Sequence, residues 1–407
     1  MPGETPLLPV AEARARLLAR AGEQPKPIET VPIIRAAGRV LAADLLATRT
    51  QPPFAMSSMD GYAVRAADCR PGEPLRTLGE SAAGHPFEGA LQPGTAIRIF
   101  TGAKLPDGAD SVLIQEEARA ENGFVTPANA VKPGQFIRRA GRDFTAGETG
   151  LSAGTRLTPS HIALAAAMNH ASVPVYRRPR IALLATGDEL ALPGPDVPPD
   201  ATMASNLIGL SALVEAQGGV VIDLGIARDN EASLNAAVDR AIADRADLLV
   251  TIGGASVGDY DLVRPVLAAR GAMLDFYRIA MRPGKPLNFG SLGSILYLGL
   301  PGNPVSALVC GTLFLVPLVL ALQASARAGA ERTEAAFLGR DLPANDRRED
   351  YLRATLSTDA AGRLIATPFD DQDSSLLSVL ARAEALVIRA PGAPAAKPGE
   401  TCRILRL

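Results

Sequence analysis

The sequence has no tryptophan, few aromatic residues at 4%, and only three cysteines and three histidines among 407 residues. Cys69, Cys310 and Cys402 stand far apart without a Cys-x-x-Cys pair, which argues against a disulfide framework or a thiolate zinc site and leaves free thiols of a cytoplasmic protein. His85, His161 and His170 show no His-x-x-x-His spacing, so histidine-ligated metal hydrolysis lacks its ligands and the three read as structural or surface residues. A Gly-x-Ser-x-Gly elbow is missing, and with it Ser-His-Asp catalysis of the hydrolase type. So is a Gly-x-Gly-x-x-Gly turn opening a helix, which leaves a Rossmann oxidoreductase unsupported. Neither sign of charge dominates: 41 Lys and Arg stand against 43 Asp and Glu, giving no bulk attraction to nucleic acid or to an anionic membrane, and neither is expected as a partner. The opening Met-Pro-Gly-Glu-Thr-Pro lacks the basic and apolar regions of a secretory signal, again an expectation of a cytoplasmic protein. One long apolar run, Val305 to Leu322, follows a Pro-Gly-Asn-Pro turn and contains Ser306, Cys310, Thr312 and Pro317. With no basic flank and no second such run, it reads as a buried helix rather than a membrane span.

Hydrophobic residues make up 47% of the chain, ample for two to four domains. Between Arg180 and Leu322 apolar runs alternate with helical patterns, as in βαβ units. Strands are expected at Ile181–Ala185, Val220–Gly225, Leu248–Ile252, near Leu274–Ile279 and at Ile295–Leu298. A helix starts near Ser205-Asn206, whose side chains can cap it, and another carries Leu234, Ala237, Val238 and Ala241 on one face. The result is a mostly parallel sheet with helices on both faces, whose ligand sites lie at the carboxyl ends of the strands. Before it, short runs around Ile97, Ile99, Val112, Ile114, Phe136 and Ile137 indicate a β-rich domain. The flanking segments Ile28–Leu46 and Gly147–Arg177 can pair with each other, making that domain an insertion. After Ala330, strands at Tyr351–Leu356, Arg363–Thr367, Leu386–Arg389 and Thr401–Leu405 suggest a small terminal barrel or sandwich.

The polar loops at the strand ends carry the chemistry. Gly253 to Gly258 is a glycine-rich turn between a buried strand and a helix, suited to phosphate through its backbone N–H groups or to tight packing alone. Glu189, Asp229, Asp259 and Asp261 follow strands at the same sheet edge, where several carboxylates would repel without a cation; hard oxygen ligands of this kind suit Mg²⁺ held partly by substrate phosphates, while helix capping is the ordinary alternative. Arg282-Pro283-Gly284-Lys285-Pro286 places two cations in a stiff turn, a geometry for an oxyanion or polyphosphate or simply a solvated surface turn. Pro301-Gly302-Asn303-Pro304, with Ser306 just inside the next helix, offers backbone donors and a hydroxyl, or mere punctuation between strand and helix. Asp60, within Met56 to Val64, and Thr101, in Phe100-Thr101-Gly102-Ala103, sit in exposed turns.

Together these segments resemble the molybdopterin molybdenumtransferase family, the MoeA proteins of bacteria and the related C-terminal domain of gephyrin. The match runs in order through Pro53-Phe54, Ser58 to Ala63, Phe100 to Ala103, Gly141 to Asp143, Thr186 to Leu190 and Ser205-Asn206. It continues through Gly253 to Asp261, Pro283 to Pro286 and Gly299 to Ala307, covering nearly the whole chain. The resemblance implies a multidomain α/β plus β chain: an N-terminal helix (1–26) on a molybdopterin-binding three-layer α/β domain (178–323), a mixed linking domain (27–46 and 147–177), an inserted β-rich domain (47–146) and a C-terminal β-barrel (324–407). It implies a homodimer that takes adenylylated molybdopterin and molybdate, releases AMP in a Mg²⁺-dependent step and yields molybdenum cofactor. A related MogA-type adenylyltransferase would supply the substrate, and molybdoenzyme maturation proteins would follow downstream.

Carried over by matched motif, Asp229 and Asp261 would hold Mg²⁺, with Ser256 and Glu189 close by, while Gly253, Gly254, Gly258 and Asp259 belong to the phosphate turn. Arg282 and Lys285 would receive molybdate or phosphate charge. Pro301, Gly302, Asn303, Pro304, Ser306, Arg353 and Ser374 would surround the oxyanion, and Asp60 and Thr101 would complete the cleft across the dimer interface. Three departures stand out: Arg282 where the family's turn has lysine, and Ala255 and Ser375 in place of the usual valine and glycine. A nucleotide-processing hydrolase of the competence-protein type and a molybdopterin-binding scaffold or carrier are the alternatives, because one fold hosts several functions.

Overall fold

The computed structural model describes residues 7–254 and 262–407. One six-stranded sheet has the order Val220–Ala227, Arg180–Thr186, Leu248–Ile252, Ile295–Leu300, Asn288–Leu292, Ala272–Tyr277. The first four pair in parallel, Asn288–Leu292 runs against them and Ala272–Tyr277 runs with them again, so five of the six strands share one direction. Leu248–Ile252 lies inside it with all five residues buried, and its one hydroxyl, on Thr251, meets the Tyr297 hydroxyl at 3.1 Å. Alternation along Arg180–Thr186 sorts the layers: Ile181, Leu183 and Ala185 pack on one face against Ser205–Ala216, the apolar helix and Val10–Glu23, and Ala182 and Leu184 pack on the other with Leu234, Val238 and Val263. Val10, Ala13, Leu17 and Ala21 form the buried stripe of the N-terminal helix, spaced three and four apart.

Pro304–Leu322 is, among the described residues, the one helix long and apolar enough to cross a membrane, and 83% of it is buried inside the protein. It is the core helix of one layer, interrupted by a π turn at Gly311–Leu315. Each fully buried leucine it contributes, such as Leu315 and Leu318, removes enough apolar surface from water to stabilise by about 1.5–3 kcal/mol.

Ile28–Pro32 pairs antiparallel with Ser172–Tyr176, and Leu45–Leu46 with Thr149–Leu151, so the segments flanking residues 47–146 meet in space. The helix Pro159–Ala167 between them is closed by a capping box in which Thr158 and His161 exchange hydrogen bonds, which assigns His161 a structural role. Within the intervening stretch, a six-stranded sheet runs from Gly61 to Pro127. At the C-terminal end, Thr333–Leu338, Glu349–Thr358, Leu364–Pro368, Ala385–Arg389 and Thr401–Arg406 each pair with two neighbours and close into a barrel. Met281–Arg282 adds to that barrel, parallel to Glu349–Asp350, and so joins the α/β unit to it.

Candidate active site

The four parallel strands all end at one cavity of about 540 Å³, lined by Thr186, Gly187, Glu189, Asn206, Asp229, Gly253, Gly254, Pro286 and the turn Pro301 to Pro304. That is the carboxyl edge of the sheet, where loops are free to carry function. Gly253 has φ +94°, and a Cβ there would lie 2.9 Å from the Thr186 carbonyl oxygen, so only glycine lets the turn leave the strand this way. Gly302 packs against it from the next loop, its own Cβ position 3.7 Å from the Gly253 Cα. Asn206 donates its amide to the Gly302 carbonyl at 2.7 Å, while its Oδ1 is buried without a protein partner. Its expected capping role is not observed: the helix starts at Ser205 with Ala204 as the cap residue and no side-chain cap bond, and Asn206 lies inside the first turn rather than at the cap position.

Asp229 stands two residues beyond its strand. The following helix, Glu231–Ala243, is capped by Asn230, whose Oδ1 accepts the Ser233 N–H at 2.9 Å, so the Asp229 carboxylate is not consumed in capping. Burial, followed by the negative charges of Asp188 and Glu189, pushes Asp229 above the ordinary aspartate range. Carboxylates that crowd one another at the rim of a cavity match the hard-oxygen chemistry of a divalent cation. Among the described residues no three His, Cys, Asp or Glu side chains converge to hold a metal by themselves. Ser256, Gly258, Asp259 and Asp261 lie outside the described residues.

A second cavity, of about 380 Å³, lies against the barrel and is lined by Arg282, Pro283, Arg340, Asp350, Arg353, Phe369 and Gln372 among others. The Arg-Pro-Gly-Lys-Pro turn runs from one cavity to the other: Arg282 and Pro283 face the second, Pro286 the first, and the half-buried Lys285 stands between them. Gly284 (φ +110°) seats the turn on the buried Cys310, whose Sγ would be 2.4 Å from any Cβ. Arg353 is fully buried. Its Nη2 donates to the Asp373 carbonyl at 3.1 Å, but Nε and Nη1 have no protein partner. Burial lowers its pKa, with Asp371 and Asp373 opposing. Gln372 fixes the strand beneath it, accepting the Arg353 N–H at 2.9 Å and donating to the Arg353 carbonyl at 3.0 Å. An arginine this enclosed, with unpartnered donors at a cavity wall, offers them to whatever anion or water enters the cavity.

Ser374 ties the barrel to the wall of the first cavity. Its hydroxyl accepts from the Asn303 amide at 2.8 Å and its carbonyl from the Val305 N–H at 3.1 Å, so barrel residues sit directly on the Pro301 to Ser306 turn of the same chain. Ser306 is buried in the first turn of that helix. Ser375 spends its N–H and hydroxyl on Asp373, and it is not among the residues with positive φ, so its replacement of glycine carries no backbone strain. Sequence reasoning passed over Asp188, Asp350 and Gln372. Asp350 and Gln372 had no motif signal of their own, and only Asp188, within Thr-Gly-Asp-Glu, sat inside a segment already singled out.

Asp60 and Thr101 come together elsewhere, on the Gly61 to Pro127 sheet. Asp60 Oδ1 accepts the Thr101 N–H at 2.7 Å and the Thr101 hydroxyl at 2.8 Å. Those bonds, the backbone one first, hold the Asp60 carboxyl below the usual range, with help from Arg98. Neither residue lines either cavity.

Known families bear directly on this arrangement. Residues 8–169 match the model of the MoeA N-terminal region (domain I and II), residues 182–321 that of a probable molybdopterin binding domain, and residues 335–407 that of the MoeA C-terminal region (domain IV). A molybdopterin molybdenumtransferase of Haemophilus influenzae is 34% identical over 399 residues, 98% of each chain. Another from a Nostoc strain is 40% identical over 337 residues, 81% of this chain and 77% of the relative. The crystal structure of a molybdopterin biosynthesis MoeA protein from Pyrococcus horikoshii superposes with a TM-score of 0.84 at 29% identity, covering 98% of this chain and 99% of that one. With matches of this kind spanning all three regions in order, the chain belongs to the MoeA family of enzymes, the molybdopterin molybdenumtransferases.

Proposed function

We propose that this chain inserts molybdate into adenylylated molybdopterin, with release of AMP in a Mg²⁺-dependent step. The observation that carries the reading is the pair of cavities joined by one cationic turn: a glycine-walled, carboxylate-edged cleft on one side, and the buried, donor-rich Arg353 on the other. Gly253 and Gly254 let the pyrophosphate approach the backbone closely, and the Pro301 to Pro304 turn closes over it. Asp229 and Glu189, joined by Asp261 and Ser256, would hold Mg²⁺, which when bound offsets the charge of the phosphoanhydride. Lys285 and Arg353, with Ser374, would hold the molybdate dianion beside that cleft, and no covalent protein nucleophile is required.

The same reading includes a homodimer in the cytoplasm, fed by a MogA-type adenylyltransferase. Two features support the dimer. Asp60 and Thr101 line neither cavity in their own chain, so their role in the cleft calls for a second copy. Exposed apolar side chains also recur through Ile28, Ile34, Leu46, Phe54 and Met59, in the stretch leading to Asp60. The decisive test gives purified protein adenylylated molybdopterin, Mg²⁺ and molybdate. Molybdate-dependent AMP release that disappears in Asp261→Ala is the expected result, and a folded protein that binds substrate without turnover would return it to the carrier reading.

A further inference from the structure

The Arg282 guanidinium, placed by its sequence to meet an oxyanion, is already engaged. Its Nε donates to Asp350 Oδ1 at 2.8 Å and its Nη2 to Asp350 Oδ2, while Nη1 faces Asp346 at 3.6 Å and Nη2 also approaches Asn345 at 3.4 Å. Nε and Nη2 therefore have protein acceptors, and Nη1 faces a carboxylate at ion-pair distance. Arg348 pairs with the same Asp346 at 2.8 Å, so two arginines meet two aspartates and no net positive charge is left over. Exposure is uneven: the Asp350 side chain is 4% exposed and the Arg282 side chain 49%. Arg353, three residues along the same strand, is the opposite case, buried with two idle donors.

We infer that Asp350 is a positioning residue for the oxyanion half of the site: by taking Arg282 in a two-pronged ion pair, it clasps the Arg-Pro-Gly-Lys-Pro turn to the barrel and leaves Lys285 and Arg353 to hold the anion. The clasp sits where the turn enters the barrel sheet, with Arg282 opposite Asp350 in the ladder, and Lys285 follows three residues later. Its backbone carbonyl accepts from both Ile279 and Leu287, so a shift at Arg282 propagates into the loop that aims the ammonium group. A lysine at position 282 presents one point charge and cannot bridge both oxygens of Asp350 while facing Asp346. Arginine at this position is thus a geometric part, and it works only with its buried partner.

This inference rests on the proposed reaction, and its test separates the two. Full-length wild type, Arg282→Gln, Arg282→Lys, Asp350→Asn and the Arg282→Gln/Asp350→Asn double variant are compared for kcat and for the KM of molybdate at saturating substrate and Mg²⁺. Amide exchange at Leu287 and Ile279, which report the Lys285 carbonyl, is measured beside them. Each single variant, Arg282→Lys included, raises the KM about tenfold with kcat within about twofold, as the loss of one charge-assisted contact does. The double variant is no worse than either single, because both substitutions break one pair. A lower KM in Asp350→Asn, or a wild-type KM in Arg282→Lys, overturns the clasp, since Arg282 would then be serving the anion directly by its charge. If wild type shows no molybdate-dependent turnover, the reaction itself is wrong. The exchange data then decide the clasp alone: faster exchange by a similar factor in all the variants upholds it, and unchanged exchange refutes it.

Discussion

Asp60 and Asp229 both sit in turns at the ends of strands, yet the protein treats their charges in opposite ways. The Asp60 carboxylate receives two hydrogen bonds from Thr101 and is held below the ordinary range, whereas Asp229 is raised by burial and by the charges of Asp188 and Glu189. The first is satisfied from within its own domain and needs only to be presented. The second is left electrostatically short of a cation, at the rim of a cavity lined by glycine turns. A carboxylate whose ionised form the fold itself disfavours, in a cleft, is where an external charge is called for.

The sharpest way to break this contrast is Asp229→Asn. Loss of one charged member of the edge is expected to cut turnover roughly 10²–10³-fold while the protein stays folded, checked by AMP release across a Mg²⁺ titration. The sign of its effect on stability also follows. A folded-state pKa raised above the unfolded value makes wild type gain stability as pH falls through the raised carboxylate range. Near neutral pH the ionised Asp229 is the unfavourable form. Asp229→Asn should therefore be no less stable than wild type at pH 7 and lose that parity on acidification, read by thermal unfolding at both pH values.

Next in size is complementation between subunits. If Asp60 serves a cleft on the partner, Asp60→Asn and Asp229→Asn are each inactive alone, and an equal mixture after subunit exchange recovers about a quarter of wild-type turnover, because half of the dimers carry one intact site out of two. No recovery would place both residues in one chain's cleft. Gly253→Ala probes the phosphate turn: a methyl group 2.9 Å from the Thr186 carbonyl at φ +94° should destabilise the protein by about 1–3 kcal/mol, measured by denaturant unfolding. The smallest effect belongs to Thr101→Val. It deletes the hydroxyl bond but keeps the backbone N–H that dominates, so Asp60 rises only part of the way to its ordinary range, visible in a side-chain NMR titration.

Much of the frame was legible because its signals are local. The run Leu248–Ile252 is observed from end to end as read: it is short, rich in β-branched residues and bounded by a glycine turn, as befits a strand covered on both faces. Val305 to Leu322 reads correctly as a core helix because small and polar residues interrupt it. Asn288–Leu292 and Thr333–Leu338 were not anticipated: Asn-Phe-Gly-Ser-Leu carries loop residues, and Thr-Glu-Ala-Ala-Phe-Leu is made of good helix formers, yet pairing with neighbours makes strands of both. The same limit applies to the site. The glycine and proline turns were visible as punctuation, but whether Asp229 or Asn230 caps the helix is a matter of which side chain faces the free N–H groups.

The sequence by itself determined the buried parallel strands with their intervening helices, the glycines that must leave strands at unusual angles, and the edge at which the acidic turns collect, because each depends on short-range periodicity and backbone sterics. Only the tertiary structure decided which charges remain available. Arg282 and Arg353 are 71 positions apart, and nothing in either one's neighbours along the chain shows that the first is neutralised by Asp350 while the second is buried with donors to spare. Desolvation and ion pairing are set by what packs against a group in space, and that is fixed when the barrel closes on the α/β sheet.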